Sequence, residues 1–139
     1  MNNIFSWLSY INDYFGFPRG LLTLIAYQEN GRNWNFNPNA VSWRGAKGLM
    51  QITSLGAQQI AKLTGFMINP FDITHAIWGA GITLKWLHSQ FGSWRAAIAA
   101  YNAGYGTVRN NINKYGYFNE AALPAETRNY LFVANYLGL

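Results

Sequence analysis

The segment LLTLIAYQENG, Leu21–Gly31, sets one carboxylate on a stripe of apolar side chains. Leu22, Ile25 and Glu29 follow at i, i+3 and i+7, a single helix face. Pro18 suits a first helical turn and Asn30–Gly31 suit a helix end, so the pattern predicts a helix over Pro18–Asn30. An acid that extends a core-facing stripe loses water, which disfavours its charged form and raises its pKa. A carboxylic acid still protonated near neutrality is what a glycosidic oxygen needs in order to leave as an alcohol. From spacing alone, a helix whose buried face lies elsewhere explains Glu29 equally well.

The other candidates are few. The remaining carboxylates are Asp13, Asp72, Glu120 and Glu126. Asp13 reads as solvent-exposed, Asp72 as a helix cap and Glu120 as a loop residue. Glu126 falls near the start of the last helix, where an acid meets the positive end of the helix dipole. His75 and His88 lie on one long helix, about 140° apart around its axis, and no HExxH occurs, so structural or surface roles are expected and no metal site. The absence of cysteine removes disulfides, thiol nucleophiles and thiolate metal sites. The GYG at Gly104–Gly106 lacks the lysine of a phosphate loop and reads as a helix stop.

These residues need a scaffold, and the chain predicts a helical one. With 139 residues, half of them hydrophobic and 17% aromatic, one domain with a real core is expected and disorder is excluded. The formal charge of +5 favours an anionic partner, a description that fits nucleic acid, membrane surface and bacterial cell wall alike. The basic residues form no run or stripe and no nucleic-acid motif is present, so nucleic acid is not expected. No apolar run approaches the roughly 20 residues of a membrane span. The opening MNNIFSWLSYINDYFGF has no basic n-region and is interrupted by Asn12 and Asp13, so it reads as a mature amphipathic helix over Asn3–Tyr14, not a signal peptide.

Further along, GRNWNFNPNAVSWRGAKG reads as a long irregular loop of the kind that is usually functional. Helical character is expected near Leu49 and from Ser54 to Leu63. Asp72 caps a helix to about Gln90, with Ile73, Ile77, Ala80, Leu84, Leu87 and Phe91 as its core stripe and Trp78, Ile82 and Trp86 widening it. Ser93 caps WRAAIAAYNAG, which Gly104 ends. Helices over Thr107–Lys114 and Pro124–Leu137 complete the pattern, and no alternating strand is evident.

Three strings in order, QENGRNWNFNPNAVSWRGAKGLMQI, AAYNAGYGTV and PAETRNYLFVANYL, resemble the soluble lytic transglycosylases, a lysozyme-like family that cleaves bacterial peptidoglycan. The resemblance implies a mainly α, lysozyme-like fold with little or no β-sheet. It also implies one domain over residues 1–139, with 1–16 as a helical extension and 17–139 as the catalytic core. It places the catalytic acid on Glu29. Ser42, Gln51, Tyr101, Asn102, Glu126 and Tyr130 fall on substrate-binding positions, and Trp34, Phe36, Trp43, Tyr105 and Tyr117 are the candidate sugar-stacking aromatics. The chain departs from the family pattern at Asn30, where a serine is usual, at an apparent GRNW insertion, and at Thr53–Ser54.

The chemistry implied needs only one carboxylate. The acid protonates the oxygen joining N-acetylmuramic acid to N-acetylglucosamine. It then takes a proton from the muramoyl C6 hydroxyl as a 1,6-anhydro ring closes. No metal or cofactor is implied, and the expected partner is the peptidoglycan glycan strand, met by a monomer at the bacterial wall. A phage enzyme, virion-borne or released at lysis, is the expected source. A goose-type lysozyme-like muramidase and a non-catalytic glycan-binding module are the alternatives.

Overall fold

The computed structural model describes residues 3–139, which divide into two compact units, one ending at Thr83 and the other running from Leu84 to Leu139. The first holds α1 (Asn3–Phe15), α2 (Leu21–Asn30) and α3 (Ser54–Thr64). The second holds α5 (Trp94–Ala103), α6 (Tyr105–Tyr115), α7 (Ala125–Tyr130) and α8 (Phe132–Leu137). The chain of α4 (Ile73–Phe91) is divided between them at Thr83. Among the described residues there is no β-strand, only isolated bridges joining Lys47 to Val41 and to Ile52. No described helix is long and apolar enough to cross a membrane.

In the first unit α1 packs on α2. Leu8, Leu21, Leu22 and Ile25 are fully buried there, as are Leu49, Met50, Ile60 and Ile77. The link between α1 and α2 is held by Asn12, which is 3% exposed. Its Nδ2 donates to the carbonyls of Phe17 and Pro18 at 3.4 and 3.1 Å, and its Oδ1 accepts from the Leu22 N–H at 3.0 Å. A buried amide satisfied this fully stabilises the turn instead of straining it. Pro18 stays in that turn, and α2 starts three residues later, after Gly20 takes a left-handed conformation that Pro18 does not supply.

Side-chain caps account for three helix starts, those at Asp72 and Ser93 as expected and that at Thr53 in addition. Thr53 accepts from the Gly56 N–H, Asp72 from the His75 N–H and Ser93 from the Ala96 N–H. The stripe of α4 is buried from Ile77 to Leu87, while Trp78, Ile82 and Trp86 are only half-buried. Near Leu49 the chain makes a turn and not a helix, because Gln51 sits at φ 54°. The last predicted helix is two short ones, broken after Tyr130 at Leu131, and α6 begins two residues before Thr107.

The second unit packs α5 against α6, α7 and α8. Ala96 to Ala100 are all buried, and their small side chains let those helices approach closely. Glu120, expected in a plain loop, lies in a short 3₁₀ turn and meets Arg95 end-on: Nε to Oε2 at 2.6 Å and Nη2 to Oε1 at 2.7 Å. Arg95 also donates through Nη1 to Asn135 Oδ1 and to the Leu139 carbonyl. One guanidinium therefore ties the 3₁₀ turn and the end of the chain to α5.

The hydrogen bonds from Arg95, and its charge, hold the Glu120 carboxyl below its ordinary 4.5, against a smaller upward push from burial. A carboxyl whose pKa is lowered on folding adds stability above its ordinary value, and that stability is lost as pH falls through the lowered one. The pair is partly exposed, at 27% and 37%, so solvent screening limits it to about 1 kcal/mol. Glu120→Gln should lower the melting midpoint at neutral pH by about 3 °C. The gap to wild type should close below pH 4.5 in calorimetric scans, and a gap that persists in acid would show that the charge pair is not its source.

Candidate active site

The first unit places Glu29 in the last turn of α2, half-buried, one turn beyond the fully buried Ile25. The apolar stripe read from the sequence is therefore real, and the acid stands at its wet end. The helix closes when the Gly31 N–H donates to the Tyr27 carbonyl at 3.0 Å. Gly31 has to be glycine, since a Cβ there would enter the ring of Phe36.

The loop that follows is held at both ends. Arg32–Trp34 form a 3₁₀ turn in which Asn33 and Trp34 both take φ 59°. For a residue as bulky as Trp34 that region costs roughly 1 kcal/mol. Its ring is packed on Tyr27 at 4.6 Å and on Phe5 at 5.7 Å between centroids, contacts that offset the strain. Trp34 still exposes 48% of its surface, so it can both brace the loop and offer a ring face. Beyond it, Asn30 Oδ1 accepts from the Asn37 N–H at 2.6 Å, and Asn30 Nδ2 donates to the carbonyls of Asn37 and Gly48 at 2.8 and 3.2 Å.

Ser42 sits in this loop with its hydroxyl oxygen already accepting from the Arg44 and Ala46 N–H groups. Its own hydroxyl proton is what it has left for a ligand. Gln51 sits in a left-handed conformation, and its Nε2 donates to the Gly48 carbonyl at 2.9 Å. A carbonyl can only accept, so this bond fixes the amide orientation and leaves Oε1 and the second Nε2 hydrogen for a ligand. Trp43 is 89% exposed beside them in sequence, with the Arg44 guanidinium over its ring at 4.8 Å.

The second unit brings Asn102 and Glu126 together. Asn102 ends α5 and donates through Nδ2 to Glu126 Oε2 at 3.1 Å, while its Oδ1 accepts from the Thr127 hydroxyl at 2.8 Å. Thr127, 1% exposed, is the residue that sequence reasoning missed; its only signal was its place between Glu126 and Arg128. Tyr101 precedes Asn102, half-buried. Tyr130, expected at the substrate, lies at the end of α7 with 3% of its surface exposed. Tyr105, expected as a sugar wall, is instead stacked on Phe91 at 5.3 Å and accepts from Arg109 Nε. Tyr117 remains 61% exposed. His75 Nδ1 accepts from the Asn69 N–H and His88 stacks on Trp94, both structural duties. Among the described residues no three His, Asp or Glu side chains cluster as a metal site.

A family model described as the transglycosylase SLT domain matches residues 9–123. The chain belongs to that family. Its sequence is 31% identical over 105 residues to the membrane-bound lytic murein transglycosylase F of Desulfosudis oleivorans, covering 70% of this chain and 21% of that protein. Its fold is similar to that of the lytic transglycosylase Slt of Pseudomonas aeruginosa, solved as an inactive Glu-to-Gln mutant, with TM-score 0.79, 27% identity, and 95% of this chain against 23% of that one. It is also similar to the 70-kDa soluble lytic transglycosylase complexed with bulgecin A, with TM-score 0.75, 29% identity, and 94% of this chain against 23% of that one. This SLT domain thus spans about a fifth of the curated relative it matches. The mainly helical, lysozyme-like fold expected from the sequence is the fold observed.

The turn at Gly48 is the tightest point of the SLT domain's loop. Gly48 sits at φ 79°, and a Cβ there would collide with the Pro70 carbonyl oxygen, which is backbone and cannot swing aside. Gly48→Ala should cost roughly 3 kcal/mol, the sum of left-handed strain and a forced backbone shift. A urea midpoint equal to wild type would show that the two segments are not in contact.

Proposed function

We propose that this SLT domain is a peptidoglycan lytic transglycosylase whose single acid and base is Glu29. The observation that carries the reading is the position of that carboxyl: half-buried, at the end of α2, directly before a braced loop, within the span matched by the family model. The loss of activity in a Glu-to-Gln mutant of the Pseudomonas relative supports the same assignment.

The Glu29 hydroxyl gives its proton to the oxygen between N-acetylmuramic acid and N-acetylglucosamine, and the bond from the muramoyl C1 to that oxygen breaks. The glucosamine side leaves as an alcohol. Positive charge at C1 is met by the oxygen of the substrate's own N-acetyl group, which takes the place of a second carboxylate. The muramoyl C6 hydroxyl then attacks C1 and passes its proton to the Glu29 carboxylate. The acid is regenerated and no water is consumed.

The other residues take binding roles. Ser42 offers a hydroxyl proton, Gln51 an acceptor oxygen, and Trp34 and Trp43 exposed ring faces for sugars. Tyr101 and Asn102 take the substrate positions implied by their motif, with Glu126 fixed by Asn102. Tyr130, one turn beyond Glu126 on α7, takes the substrate position its motif implies, with only a small part of its surface open. A peptidoglycan substrate places the reaction at the bacterial cell wall, in the periplasm or outside the cell.

Mass spectrometry of muropeptides released from purified sacculi tests this directly. The wild type should release 1,6-anhydromuramoyl ends, and Glu29→Gln should lower the rate by about 10³-fold or more while sedimenting with sacculi as wild type does. Products heavier by one water would show a hydrolase. Binding without release by the wild type would show a glycan-binding module.

A further inference from the structure

Asn30 does more than follow the acid. An asparagine at a helix end commonly turns back to cap its own helix, yet here that task belongs to Gly31, whose N–H donates to the Tyr27 carbonyl. Asn30 instead reaches forward seven and eighteen residues, spending its acceptor on the Asn37 N–H and its donors on the Asn37 and Gly48 carbonyls. The Gly48 carbonyl also accepts from Gln51, through Nε2 at 2.9 Å and the backbone N–H at 3.3 Å. One carbonyl thus joins the helix that carries Glu29, the loop that carries Ser42 and the amide of Gln51.

A serine here would have one hydroxyl and a shorter reach, and could not replace an acceptor and two donors that span both segments.

We propose that Asn30 is a positioning residue: by tying the Gly48 carbonyl to the end of α2, it pre-orders the loop beside Glu29 and holds the carbonyl that fixes the orientation of the Gln51 amide. The assignment rests on Glu29 being the acid. A loop ordered before binding charges none of its ordering to the binding step, so loss of the tie falls on KM. Proton transfer from Glu29, which stays on α2, is spared.

Asn30→Ala and Asn30→Ser test this, with turnover measured on solubilised glycan strands and scaled to the folded fraction. Each should raise KM about tenfold and leave kcat within about twofold of wild type. Asn30→Asp keeps the acceptor and loses both donors, and on protonation regains one. Its KM, taken as a ratio to wild type at each pH, should fall as pH drops through the carboxyl range. A structural role alone would lower the folded fraction and leave KM unchanged, which would overturn the proposal, as would unfolding of both neutral variants. Hydrogen exchange supplies an arm independent of turnover: the Asn37 amide should exchange about tenfold faster in both neutral variants than in wild type. Unchanged Asn37 protection overturns the tie itself. A wild type that exchanges as expected but releases no anhydro products overturns the enzyme reading and leaves the tie standing.

Discussion

The first unit depends on a bargain between one neutral amide and a strained stretch of backbone. Asn33, Trp34 and Gln51 all occupy the left-handed region without being glycine, which chains adopt only where surrounding contacts over-determine it. The contacts are of two kinds. The Trp34 ring is wedged against Tyr27 and Phe5, and the Asn30 amide draws Asn37 and Gly48 to the end of α2. Either alone would leave part of the loop free to relax. Together they let a segment with almost no regular hydrogen bonding stand in one conformation beside the acid.

The same device recurs in both units. Asn12 bridges the α1–α2 link, Asn30 the loop after α2, and Asn111 the connection after α6, where it accepts from the Asn119 N–H and donates to the Asn119 carbonyl. In each case an amide near the end of a helix uses both ends of its dipole to imitate the backbone pairing that a β-bridge would provide. This suits a chain with only 11% charged residues. Amides do not titrate, so these links hold across pH, whereas the Arg95–Glu120 pair weakens in acid. The second unit therefore has a charge pair through which its stability follows pH.

What was legible in the sequence was local. Caps at Asp72 and Ser93 act over three residues, and the stripes of α2 and α4 repeat within a turn, so periodicity and residue type reveal them. What stayed hidden acts at a distance or against propensity. The reach from Asn30 to Gly48 leaves no period, and Gln51 gives no sign that its backbone is left-handed, so Leu49 read as helical. The break at Leu131 follows no glycine or proline. The burial of Tyr130 depends on packing that no single string records. Glu29 was readable as a candidate because an acid there extends an apolar face, whereas Thr127 gave far less sign of its bond to Asn102.

Hydrogen-bond directions carry the synthesis one step further. Thr127 has a buried hydroxyl that donates to Asn102 Oδ1, which turns Asn102 Nδ2 toward Glu126. The Gly48 carbonyl, able only to accept, turns Gln51 Nε2 inward. In both units a backbone or buried group takes one end of an amide and thereby decides what the exposed side offers. Each contact thereby sets the orientation of a polar side chain within its own unit.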